Sequence, residues 1–165
     1  MAMVSVADAM ASSADQERVR IVHPRRGTTV LWHVDVLVVD DDAADRSLIV
    51  GALREVDGVG VIRECGDPRT ALFDLAERKI TADLILLDIH MPRVNGFTFV
   101  DALRKIPAYA TVPVVFLTTS QHSGDVHRAR TTKINGYIVK PDVFEELVER
   151  VASTVRITQS GGWQK

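Results

Sequence analysis

Five short runs of β-branched and leucine residues recur along this chain, and between them apolar residues fall at helical spacing. That alternation constrains the fold more than any other feature. Val36 to Val39, Leu84 to Leu87 and Val114 to Leu117 are continuous apolar stretches, the pattern of strands buried on both faces. Val59 and Val61 alternate with smaller or polar residues and predict a peripheral second strand, and Tyr137 to Val139 predicts a fifth. Between the strands lie predicted helices. Leu48, Ile49, Ala52, Leu53 and Val56 form one stripe over 44–56, Ala71, Leu72, Leu75 and Ala76 form a second behind Asp67-Pro68, and Phe97, Val100 and Leu103 form a third closed by Pro107. A fourth, Ser123 to Thr132, offers only Val126 and Ala129 as apolar contacts and is expected to be weakly anchored. Asp142 and Glu145 are spaced as a capping box before a fifth helix whose apolar face is Val143, Phe144, Leu147, Val148, Val151 and Val155. Strand and helix in strict alternation predict an α/β fold, a doubly wound five-stranded parallel sheet with helices on both faces.

The remainder of the chain is read by composition. Residues 1–33 lack sustained periodicity and are expected to form a poorly ordered leader; 34–155 form the domain, and 156–165 a tail in which Trp163 either docks back or lies free. With 20 Lys and Arg against 22 Asp and Glu, a net charge of -2 gives no electrostatic case for nucleic acid. The single cysteine, Cys65, excludes an internal disulfide, and no apolar run is long enough to span a membrane, so a cytoplasmic protein is expected.

In doubly wound sheets, ligands bind beyond the carboxyl ends of the strands. Asp40, Asp41 and Asp42 follow the first strand, Asp88 the third, Thr118 the fourth and Lys140 the fifth. Each alone is an ordinary cap, turn or surface residue; together they share one edge. Three carboxylates about 5 Å apart repel by roughly 3 kcal/mol per pair at an effective dielectric near 20, so such a cluster calls for a proton or a cation. A hard divalent ion with oxygen ligands answers that need. An acid nucleophile, a cation site, a hydroxyl and an ammonium are the parts required to receive a phosphoryl group on a carboxylate.

Val38-Val39-Asp40-Asp41, Leu86-Leu87-Asp88-Ile89-His90-Met91-Pro92 with Asn95-Gly96, Phe116-Leu117-Thr118-Thr119 and Tyr137-Ile138-Val139-Lys140-Pro141 together resemble the receiver domain of two-component response regulators, a flavodoxin-like (βα)5 fold. The resemblance spans about 34–155 and is of the single-domain, chemotaxis-regulator type. Ala44-Asp45 with Leu48-Ile49, and Thr118-Thr119-Ser120, are similar to the subgroup paired with phytochrome-type kinases. It implies Asp88 as phosphoacceptor; Asp41, Asp40, Asp88 and the His90 backbone carbonyl as magnesium ligands; Thr118 and Lys140 as partners of the phosphoryl group; Thr118 and Tyr137 as a switch pair; and a cis Lys140-Pro141 bond. Asp42 is expected to cap the first helix, and the His90 and Ser120 side chains to tune rates.

The resemblance further implies a sensor histidine kinase or phosphotransfer protein as donor, slow self-dephosphorylation in place of enzyme turnover, and output through a protein surface, since few residues remain for an effector. A homodimer through the last helix, with Trp163 in its patch, is one form of that output. Two other readings are a phosphorylation-independent pseudo-receiver and a haloacid-dehalogenase-type phosphohydrolase. The first normally lacks an acid or the Lys, and the second needs a further acidic pair beyond the Lys.

Overall fold

Because their residues are apolar on both sides, the central strands can only be satisfied between two layers of helix. The computed structural model, which describes residues 32–119 and 123–163, has this arrangement. Strands β1 (Val34–Val39), β2 (Val59–Cys65), β3 (Leu84–Leu87), β4 (Val114–Thr118) and β5 (Gly136–Val139) form one parallel sheet in the order β2-β1-β3-β4-β5. Helices α1 (Ala43–Arg54) and α5 (Phe144–Gln159) cover one face, where Ile49, Leu53, Leu147 and Val151 pack on Val36, Val38, Leu84 and Leu86. Helices α2 (Pro68–Ala76), α3 (Gly96–Leu103) and α4 (Ser123–Thr131) cover the other, over Leu37, Val39, Ile85, Leu87 and Phe116. The residues of β1, β3 and β4 alternate between these two cores, so a slip of one residue would exchange them.

The helix starts follow from their caps. Asp42 accepts from the backbone N–H of Ala44 and Asp45, Asp67 from that of Arg69 with Pro68 in the first turn, and Asn95 from that of Thr98. At α5 the sequence expectation fails. Its N-cap is Val143, with no side-chain cap bond, so Asp142 and Glu145 do not form a capping box. Val143 and Leu48 are exposed, and Phe144 is exposed in part while its ring lies against Gly51 of α1, where an added Cβ would be 3.7 Å from it. The helix also runs on to Gln159, and Trp163 folds back, its indole N–H donating to Thr158 Oγ1 at 3.0 Å.

Strand β1 begins two residues before the apolar run. Asp35 is buried there because its carboxylate accepts the Val61 N–H at 3.0 Å where the β1–β2 register shifts, and its own N–H donates to Asp83. Of the expected leader, only Trp32 and His33 are among the described residues; Ser120 also lies outside them.

Arg104, just past α3, donates to the carbonyls of Tyr109, Val112 and Lys133, clasping the 3-10 turn Pro107–Tyr109 and the approach to β5. Burial lowers its pKa from the ordinary value. Arg104→Ala strands these carbonyls and is expected to lower stability by about 2 kcal/mol in urea titrations, with Arg104→Lys recovering little because an ammonium lacks the planar fork. The caps give a second prediction. Hydrogen bonds from the Asp45 and Ala44 N–H groups hold Asp42 below the ordinary 3.8, and the Arg69 side chain and N–H do the same for Asp67. A depressed folded-state pKa stabilises above the unfolded value and is lost as pH falls through the folded one. Wild type and Asp42→Ala should therefore differ in melting temperature near about pH 6 and converge toward about pH 2.

Candidate phosphoryl-acceptor site

Sheet register brings the acids together. Val39 aligns with Leu87 across β1 and β3, so the next residues, Asp40 and Asp88, leave the sheet side by side; the Asp88 N–H donates to the Val39 carbonyl at 2.9 Å. At the other edge Thr118 aligns with Val139, and the Lys140 N–H donates to the Thr118 carbonyl at 2.8 Å. The site thus stands where the order turns from β1 to β3, the switch point at which doubly wound sheets open a crevice.

Asp40, Asp41 and Asp88 each present a carboxylate oxygen within 4.8 Å of the others. Asp40 and Asp88 are buried and Asp41 is exposed, which leaves the cluster open on one side. Local bonds fix the buried pair. Asp40 Oδ1 accepts the Asp42 N–H at 2.9 Å, and Asp88 Oδ2 accepts the His90 N–H at 2.8 Å. Arg46 of α1 donates to the Asp40 carbonyl at 2.7 Å.

Lys140 enters this pocket with its side chain 11% exposed. Its Nζ lies 2.6 Å from Asp40 Oδ2, 2.6 Å from Asp45 Oδ2 and 3.8 Å from Asp88 Oδ1. The Lys140–Pro141 bond is trans, against expectation: the two isomers of an X-Pro bond differ by only about 0.5–1 kcal/mol, and the four-carbon side chain spans the gap from the trans backbone. Burial pushes the Asp40 pKa up, the Lys140 hydrogen bond and charge offset only part of that, and the carboxyl ends above its usual value. For Lys140, burial pulls down, but the bonds to Asp40 and Asp45 and the charges of Asp40 and Asp88 outweigh it and raise the ammonium.

The other residues singled out in the sequence lie on the neighbouring elements. Thr118 is fully buried at the end of β4. Tyr137 is partly buried, edge-to-face with Phe116 at 6.3 Å, and Phe116 is in turn 5.1 Å from Phe97. The His90 ring turns outward from the acids to meet Asp125 of α4 at 2.7 Å. Sequence reading missed the contacts of Asp45, Asp125 and Arg46. For Asp45 there was a signal, since a third-position residue in α1 lies beside the strand ends; for Asp125, 35 residues from His90, there was none.

Residues 36–152 match the response regulator receiver domain. The chain belongs to that family. It is 36% identical over 127 residues to a protein-glutamate methylesterase/protein-glutamine glutaminase of Anaeromyxobacter dehalogenans, a match covering 73% of this chain and 35% of that protein. The chain therefore spans about a third of that relative's length. Among solved structures, the chemotaxis protein CheY4 of Vibrio cholerae is similar at 29% identity, TM-score 0.63, covering 73% of this chain and 98% of CheY4. The Mn(2+)-bound form of response regulator Rcp1 is similar at 25% identity, TM-score 0.67, covering 76% and 94% respectively. Among the described residues of the receiver no helix is long and apolar enough to cross a membrane.

Gly96 seals the floor of the site. A Cβ there would sit 2.6 Å from the Asp88 carbonyl and 3.0 Å from the Phe116 ring, both held by the core. Gly96→Ala should lower stability by about 2 kcal/mol by denaturant titration and shift the Asp88 amide resonance, whereas Gly124→Ala, in open space, should do neither.

Proposed function

We propose that this receiver accepts a phosphoryl group on Asp88 from a sensor histidine kinase or phosphotransfer protein, with magnesium bound at the acid cluster, and signals through an altered protein-interaction surface. The observation that carries this reading is the convergence of Asp40, Asp41 and Asp88 with the Lys140 ammonium beside them. An acid triad of this kind has an oxygen-only donor set, the chemistry preferred by a hard divalent cation, and the relative Rcp1 was obtained with manganese bound. Asp41, Asp40, Asp88 and the His90 backbone carbonyl would hold the metal, which when bound neutralises charge on the transferring group.

This chain's own residues supply the rest. Asp88 presents a carboxylate oxygen steadied by the His90 N–H on its other oxygen. That oxygen forms a bond to phosphorus as the donor's bond breaks, and the donor keeps the electron pair, leaving as acetate from acetyl phosphate or as neutral imidazole from a phosphohistidine protonated on its other nitrogen. Lys140 then pairs with the added charge and the Thr118 hydroxyl donates to a phosphoryl oxygen. Tyr137, linked through Phe116 to the same core, passes the change to the face of α4, β5 and α5. The product is a slowly hydrolysed aspartyl phosphate, so the receiver acts as a phosphoacceptor and not as a turnover enzyme. Retention of every acid and of Lys140 argues against a pseudo-receiver.

Incubation with acetyl phosphate and magnesium should add one phosphoryl group by intact mass, and either chelation or Asp88→Asn should abolish it. An unmodified wild type, or full labelling of Asp88→Asn, overturns the assignment.

A further inference from the structure

The acid that shares Lys140 most closely with Asp40 is not one of the cluster. Asp45 stands in the first turn of α1, where Asp42 already satisfies its backbone N–H at 3.1 Å. Its side chain is not used in the cap. It reaches Lys140 at 2.6 Å, matching the distance to Asp40, while Asp88 stays at 3.8 Å, beyond hydrogen-bond range. An ammonium has three N–H donors, and these two acids take two of them.

We propose that Asp45 is a positioning residue for phosphoryl acceptance, holding Lys140 set back from Asp88 so that the nucleophilic oxygen stays clear. The inference rests on the reading of Asp88 as phosphoacceptor. An oxygen bonded to an ammonium has a lone pair engaged and attacks phosphorus more slowly. A phosphoryl oxygen, by contrast, projects two bonds beyond the Asp88 oxygen, which closes a gap of this size. Lys140 thus leaves the free carboxylate alone and meets the group once it arrives. Asp40 by itself cannot do this, because a cation in the cluster draws on the carboxylate that Lys140 uses. Asp45, outside the cluster, keeps its hold throughout. Without it the ammonium is drawn onto Asp88, the other buried acid within reach.

The test compares full-length wild type, Asp45→Asn and Asp45→Glu, each also in a Lys140→Met background, phosphorylated by acetyl phosphate with magnesium. Asp45→Asn should lower the rate at saturating donor about fivefold, the factor of an ion pair worth about 1 kcal/mol, with half-saturation unchanged. Asp45→Glu should recover most of the rate, and in Lys140→Met the Asp45→Asn effect should vanish. A wild-type rate in Asp45→Asn, or the same slowing with Lys140 absent, overturns the proposal. The Lys140 side-chain nitrogen resonance is followed in the unphosphorylated proteins as a second readout. If wild type is not labelled at Asp88 at all, the function assigned above fails, and an Lys140 resonance unmoved by Asp45→Asn shows separately that Asp45 does not place the ammonium.

Discussion

Mutual repulsion among carboxylates that the sheet forces together is the constraint on which the site depends. The β1–β3 register is set by apolar residues facing two cores, and slipping it would turn both cores inside out. The burial of Val36, Val38, Leu84 and Leu86 therefore dictates that Asp40 and Asp88 be neighbours, whatever that costs in charge. Burial above all, with the neighbouring Asp88 charge adding to it, raises the pKa of Asp40, and the Lys140 ammonium offsets only part of that. Hydrophobic packing, acting on residues that have no chemistry of their own, thus keeps two buried acids side by side beside the Lys140 ammonium.

The aromatic row gives the site a physical connection to the far edge of the sheet. Gly96 allows the α3 start to pass under the Asp88 carbonyl, and the next residue, Phe97, opens the edge-to-face contacts through Phe116 to Tyr137. Cores packed at crystal density transmit small displacements because they have no slack to absorb them.

Most of this was legible in the sequence. Strands β3 and β4 are short apolar runs bounded by Asp83 and Asp88 and by Pro113 and Thr118, and the acids, the Thr and the Lys stand at run ends, so one rule about parallel sheets placed them on one edge. What was not legible depends on packing between distant segments. Leu48, Val143 and Phe144 have the right spacing to be buried, yet Leu48 and Val143 face outward and Phe144 is only half-covered, by Gly51 of α1. Asp35 interrupts an apolar run and hid the start of β1, because only the register shift opposite it reveals the N–H its carboxylate satisfies. The trans Lys140–Pro141 bond and the His90–Asp125 contact are likewise decided by where other parts of the chain lie.

Helix α4 buries one residue, Ala129, and is otherwise fastened by Asp125 to His90 and by Arg128 lying 4.2 Å over the Phe97 ring. Both fastenings reach toward the segment that carries Asp88. The helix itself contributes little apolar surface, the Ala129 methyl and the half-buried Val126, so its hold on the core beneath is weak. It is set instead by polar contacts that water can replace. An element of that kind can be redistributed between two positions by a few kcal/mol, the scale of a single added charge.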